Sequence, residues 1–222
     1  MLETISAFLE LAWAHLDSLL YGALVTVQIA VAAIVFGGLV GLALCFGLLS
    51  SNRFVRVCCL VYQSAWRGTP ILVQLLIVFY IFPAFDIEVP PLIAAALALT
   101  MNSSAFQAEI YRGGILSINR GQAEAGRILG LSTWAVRIRI LIPQMYRLVM
   151  PSLVNETISI LKNTSLVSVI GVTELMRVSQ QVVSTTYRPL ETYLAAALIY
   201  LVMNYCLSLI GRRWERRLSR GG

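Results

Sequence analysis

Residues 19–49 read LLYGALVTVQIAVAAIVFGGLVGLALCFGLL, without one charged side chain. About 20 such residues cross the hydrocarbon core of a bilayer, so the run predicts a membrane helix. At about 1.5 Å per residue it is long enough to tilt or protrude. Gly37, Gly38 and Gly41 give it a small-x-x-x-small face on which another helix packs closely. Outward from this run the same criterion marks four more spans, over residues 54–82, 92–110, 148–170 and 193–210. The expected fold is therefore all-α integral membrane, with five transmembrane helices in a single domain over residues 1–222. Composition agrees: 58% of the residues are hydrophobic and 13% charged, against roughly 45–50% and about 25% in soluble domains. A water-soluble enzyme, a disordered chain, a collagen-like repeat and a coiled coil are excluded.

An odd number of crossings puts the two ends on opposite sides. Arginines decide which is which, because short cytoplasmic loops hold the excess of positive charge. Arg53 and Arg56 follow the first span; Arg112, Arg120, Arg127, Arg137, Arg139 and Arg147 lie between the third and fourth. Arg212, Arg213, Arg216, Arg217 and Arg220 follow the fifth. These ends are expected in the cytoplasm. Glu3, Glu10 and Asp17 at the start, Asp86 with Glu88, and the charge-balanced segment from Glu174 to Glu191 are expected outside. The acidic start lacks the basic n-region of a cleaved signal peptide and is expected to remain. The net charge of +6 is thus a topological signal, and no nucleic-acid partner is expected.

Ionisable side chains inside spans are costly and face the bundle interior with a partner. Arg67 belongs to Arg67-Gly68-Thr69-Pro70, whose proline lacks an N–H and should kink or restart the second helix. Glu109, late in an inward-running helix, should reach the same depth and pair with Arg67 or bind backbone there. That pair either helps hold an inner gate or only fixes helix packing. Glu156 and Lys162 lie on the fourth span, Lys162, the only lysine, near mid-bilayer. An amino acid in a low-dielectric cavity needs a cation or aligned N–H groups for its carboxylate, and an anion for its ammonium. Lys162 with Asn163, Thr164 and Ser165 offers the first set, Glu156 with Asn155 the second. Six residues is about 240° around a regular helix, so the two sets share one cavity only if it wraps the helix or the helix unwinds. A buried polar network joining two subunits is the other reading.

Cys45, Cys58, Cys59 and Cys206 lie in or beside apolar runs and read as small hydrophobes. With His15 the single histidine and no C-x-x-C or H-E-x-x-H, no metal site is expected. No G-x-x-x-x-G-K-[ST] loop occurs, so the chain does not cradle nucleotide phosphates in that way.

Between the third and fourth spans, a loop over about residues 119–143 carries Gly121-Gln122-Ala123-Glu124-Ala125-Gly126-Arg127-Ile128-Leu129-Gly130, nine residues, then Ile140-Leu141-Ile142-Pro143. Ala125, Ile128 and Leu129 recur at helical spacing and Gly130 suits a helix end, which predicts a short surface helix. Such a helix serves either the membrane interface or a docking partner. The stretch resembles the E-A-A, three residues, G, nine residues, I-x-L-P loop of permease subunits of ATP-binding cassette (ABC) importers. Gly126 stands for the second alanine and Ile142 for the leucine. Arg67-Gly68-Thr69-Pro70, Ala108-Glu109-Ile110, Gly121-Gln122 and Leu161-Lys162-Asn163-Thr164-Ser165-Leu166 resemble the polar amino acid uptake branch of that family.

The resemblance implies a type I importer fold of the methionine-permease kind in a bacterial inner membrane, N-terminus periplasmic and C-terminus cytoplasmic. It implies a second permease subunit, identical or sister, ABC ATPase subunits that carry the ATP and Mg, a periplasmic solute-binding protein and an amino acid substrate. The chain itself would bind no cofactor. Gly121, Gln122, Glu124, Ala125, Gly126, Gly130 and Pro143 would form the ATPase-coupling site. Closure of the ATPase pair would pull these loops together and turn the cavity outward. Asn155-Glu156 ahead of Lys162-Asn163-Thr164-Ser165 resembles permeases for basic amino acids such as arginine or histidine; glutamine, glutamate or another polar amino acid is the alternative. A secondary transporter or channel without an ATPase fits the spans and the buried charges but leaves the cytoplasmic motif unexplained. An intramembrane protease lacks its serine–histidine pair or its two buried aspartates, because His15, Asp17 and Asp86 lie outside the spans.

Overall fold

The uncharged opening run folds as one helix, α1 (Leu16–Leu48), in the computed structural model, which describes residues 10–219 and side chains through Trp214. Glu3 and Arg220 of the charge pattern, and the side chains of Arg216 and Arg217, lie outside that description. Leu19, Ala23, Thr26, Ala30, Ala33, Gly37 and Gly41 form the buried stripe of α1 at spacings of three and four. Leu20, Leu24, Val31, Val35 and Leu39 stay exposed on the opposite side. A helix apolar on both sides needs lipid or another helix on the uncovered one. α1 packs along α4 (Pro91–Ser117), and small residues set the approach. A Cβ at Gly41 would lie 2.9 Å from the Ser104 carbonyl oxygen, and one at Gly37 3.0 Å from Ser103 Cβ.

α2 (Arg53–Gly68) starts at Asn52, whose side chain accepts from the Phe54 N–H at 2.9 Å. It ends at Thr69, extended at φ −118° and ψ 149°, because Pro70 disfavours helical backbone in the residue before it and offers no N–H. α3 (Ile71–Ile81) restarts beyond a bend of 113°. The run over residues 54–82 is thus two helices rather than one, with the restart expected at Pro70, and forms a broken span or a re-entrant element. A proline kink in a continuous helix keeps the chain's direction. Here the break is complete, and a side chain, Gln74, takes the place of the missing backbone donors.

α4 starts at Pro90-Pro91, with proline where a helix needs no N–H, and at 27 residues it is about 40 Å long. α1, α2, α3 and α7 surround it, and it buries Asn102, Ser103, Ser104 and Gln107. Facing lipid these groups would be costly. Inside the bundle they are partnered: Gln107 donates to the Ile34 carbonyl at 3.1 Å, and the Ser104 and Tyr62 hydroxyls stand 2.8 Å apart. Among the described residues, α1 and residues 189–214 are long and apolar enough to cross a membrane singly; residues 53–85 and 133–186 qualify as bent pairs. α4 has the length, and its polar run is shielded by the helices around it.

The loop after α4 holds α5 (Arg120–Ile128) and α6 (Thr133–Val136), and a π turn over Arg137–Leu141 leads into α7 (Ile142–Asn163). α7 tightens to a 3₁₀ helix over Thr164–Ile170. α8 (Leu175–Thr186) and α9 (Pro189–Ser219) follow. One core cluster, including Ala33, Leu75, Leu99, Ile160 and Val167, joins α1, α3, α4 and α7 with its 3₁₀ extension. Glu174, in the segment that the charge pattern assigns to the outer side of the membrane, has its side chain buried. It caps α8, accepting from the Met176 and Arg177 N–H groups at 2.9 Å, and also accepts from the Tyr200 hydroxyl at 3.0 Å. Three donors compensate the carboxylate, and a count of loop charges has no access to them.

Candidate functional site

Asn119 opens α5 by accepting from the Gly121 N–H at 2.9 Å. At the other end Gly130 adopts φ +80°. Its N–H reaches the Arg127 carbonyl at 2.9 Å, and the Leu131 N–H reaches the Gly126 carbonyl at 3.0 Å. This paired closure needs a left-handed residue, which glycine supplies without a Cβ penalty. Gly126 is buried, and a Cβ there would lie 2.7 Å from Ile140 Cδ1, so glycine in place of alanine lets α5 seat on the π turn.

α5 leaves Ile128 and Leu129 exposed by 85% and 81%. Beside them lies a groove of about 390 Å³ lined by Gln122, Ala125, Gly126 and Pro143, with Arg139 and Arg147 at hand. Gly121, Glu124 and Gly130 are exposed but do not line it. An apolar pair beside a basic groove has the form of a docking surface. A further contact was not legible in the sequence: the Arg137 guanidinium lies 4.8 Å from the Phe46 ring and 5.8 Å from the Trp134 ring, tying the loop to the C-terminal end of α1.

Arg67 Nη1 lies 3.8 Å from Glu109 Oε2. Shorter contacts come from Arg112, one turn along α4, at 2.6 and 3.1 Å, and from Gln63 Nε2 at 3.0 Å. The expected pair is thus one edge of a four-residue cluster that clasps α2 to α4. Arg67 also stands over the Phe106 ring, 5.5 Å from its centre.

α7 carries Glu156, Ser159 and Asn163 on one face, at spacings of three and four. They wall a cavity of about 220 Å³ closed by Thr69, Ile71, Asn102 and Phe106. Because α7 stays regular through Asn163, Lys162 falls on another face. Lys162 and Asn155 are exposed and do not line the cavity. The Thr164 and Ser165 hydroxyls donate back to the Leu161 and Lys162 carbonyls at 2.7 and 2.8 Å, at the change to the 3₁₀ helix. The structure therefore brings Glu156 and Asn163 together and leaves Asn155, Lys162, Thr164 and Ser165 apart. No unwinding unites Glu156 with Lys162: α7 is regular from one to the other and tightens only from Thr164. Thr69 and Asn102 enter the cavity unforeseen; their signal was polarity within apolar runs. A carboxylate set among amides and hydroxyls, beside an aromatic ring, can accept an ammonium or guanidinium. Among the described residues, no three His, Cys, Asp or Glu side chains are grouped to hold a metal ion.

Residues 33–220 match the family of binding-protein-dependent transport system inner membrane components. The L-cystine transport system permease protein TcyB of Bacillus subtilis (strain 168) is 39% identical over 196 residues, 88% of this chain and 84% of its own length. The glutamine transport system permease protein GlnP of Escherichia coli (strain K12) is 38% identical over 209 residues, 93% of this chain and 95% of its own. A crystal structure of an amino acid ABC transporter with histidines superposes with a TM-score of 0.86 at 36% identity, covering 95% of this chain and 98% of that one.

Proposed function

The chain belongs to the binding-protein-dependent transport system inner membrane components, and we propose that a basic amino acid crosses the membrane through the cavity walled by Glu156. The chain is a permease of the amino acid ABC importers with the all-helical type I fold, a transport component rather than an enzyme. The observation that carries the substrate reading is the placement of Glu156 and Asn163 opposite Thr69 and Asn102 in a cavity of about 220 Å³. This is smaller than the roughly 300–1,000 Å³ of drug-sized sites and suits a single amino acid. In a low-dielectric cavity the carboxylate would pair with a guanidinium, imidazolium or ammonium on the substrate side chain. A neutral polar amino acid is the second reading, favoured by the relatives named for L-cystine and glutamine.

The family supports ATPase and binding-protein partners in general, and the remaining parts of the machine belong to the same proposal. Two permease subunits, identical or sister, form the path, and a periplasmic solute-binding protein delivers the substrate. ABC ATPase subunits, which carry the ATP and Mg, receive α5 through Glu124, Ala125, Gly130 and the exposed Ile128 and Leu129. Their closure pulls the docking loops together and reorients the cavity. Five crossings of a bacterial inner membrane, with α4 as the shielded one, put the N-terminus outside and the C-terminus in the cytoplasm.

The test is ATPase stimulation of the reconstituted complex by a panel of amino acids, each with its binding protein, comparing wild type with Glu156→Gln. The expected result is strongest stimulation by arginine or histidine, with KM raised roughly tenfold in Glu156→Gln, about the loss of one charge-assisted hydrogen bond. Best stimulation by glutamine with Glu156→Gln unchanged would favour the neutral reading. Steady uptake by this chain alone, without ATP, would sink both.

A further inference from the structure

The break between α2 and α3 frees carbonyls that no helix N–H reaches. Gln74, the fourth residue of α3, answers them. Its Nε2 donates to the Trp66 carbonyl at 2.7 Å and to the Thr69 carbonyl at 2.9 Å, and lies 2.8 Å from Thr69 Oγ1. That hydroxyl is free to accept, since its own proton goes to the Ala65 carbonyl at 2.8 Å. On the far side Gln74 Oε1 accepts from Asn102 Nδ2 at 2.8 Å, and the same Nδ2 lies 3.4 Å from the Trp66 carbonyl. One primary amide thus closes a ring through α2, α3 and α4. Gln74 is 4% exposed and does not line the Glu156 cavity, yet Thr69 and Asn102, both held by it, do.

We propose that Gln74 is a positioning residue for the transported amino acid: it fixes Thr69 and Asn102 opposite Glu156, so that the polar groups of a small zwitterion meet preset partners. This rests on the reading of the Glu156 cavity as the substrate site. The chemistry selects glutamine, because only a primary amide offers two donors and an acceptor at one end of a side chain. A glutamate in its place has the length and the acceptors but, when ionised, no donor for the carbonyls. A leucine has neither, and it leaves the Asn102 amide without its acceptor. In both variants the wall carrying Thr69 and Asn102 loses its reference to the break.

The experiment uses the full complex of permease, ATPase and binding protein in proteoliposomes, with the panel amino acid that stimulates wild type best as the probe. Gln74→Glu and Gln74→Leu are expected to raise KM roughly 10- to 100-fold, the scale of a misplaced binding group, while Vmax stays within about twofold. Asn102→Ala should raise KM as well, and the double variant with Gln74→Leu should be no worse than the more severe single, because both act through one network. An unchanged KM, a fall in Vmax alone, or additive effects would overturn the proposal. So would failure of both Gln74 variants to assemble, which would assign Gln74 to the scaffold only. Glu156→Gln, measured alongside, separates the two claims. If it leaves KM and substrate preference untouched, the cavity reading fails whatever Gln74 does; if it alone shifts KM, only the positioning role fails.

Discussion

Gly130 shows how much one backbone angle can carry. At φ +80° an L side chain costs about 1–2 kcal/mol, and the cost falls where α5 turns back after its exposed apolar pair. Gly130→Asp is therefore expected to leave membrane insertion intact and abolish ATP-driven uptake, read by comparing membrane-extracted protein with substrate accumulation. Surviving uptake would remove α5 from the docking role. This residue was legible in the sequence because the demand is local: a glycine at the end of a short periodic segment. Lys162 was not, since a side chain's direction depends on helix phase, and the regular helix from Glu156 through Lys162 keeps the two on different faces.

At the scale of elements, the contact of α1 with α4 depends on which small residue meets backbone. Gly41 does: a Cβ there would lie 2.9 Å from the Ser104 carbonyl oxygen and 3.2 Å from the Ala108 nitrogen. Gly113, exposed on α4, has nothing within 4 Å. Gly41→Val is expected to destabilise the purified protein by about 1–3 kcal/mol through overpacking, while Gly113→Ala should be neutral or stabilising by up to about 1 kcal/mol. Thermal unfolding in detergent measures both, and equal midpoints for the two variants would contradict this packing. The sequence marked Gly37, Gly38 and Gly41 as a packing face but did not rank them. Likewise Pro70 announced a break, and the angle of 113° comes with Gln74 and Asn102, partners 28 residues apart.

Across the whole molecule, Glu174 links the start, the outer turn and the last helix: it caps α8, accepts from Tyr200 of α9, and lies beside Thr26 of α1, which in turn accepts from the Leu175 N–H at 3.2 Å. Glu174→Ala is expected to cost about 1–3 kcal/mol by orphaning buried donors, with Glu174→Gln milder because an amide oxygen can still accept. A calorimetric midpoint unmoved by Glu174→Ala would show that α8 is held by other contacts. By itself the sequence determined the surrounding medium, the helical class and the loop helix with its glycine end, since long uncharged runs and local backbone demands are properties of neighbouring residues. Only tertiary structure decided which polar side chains share the Glu156 cavity, how sharply the chain turns at Pro70 and that Glu174 is interior. Each of these depends on helix phase and on donors far along the chain, and a polar group stays buried only where folding delivers its partner.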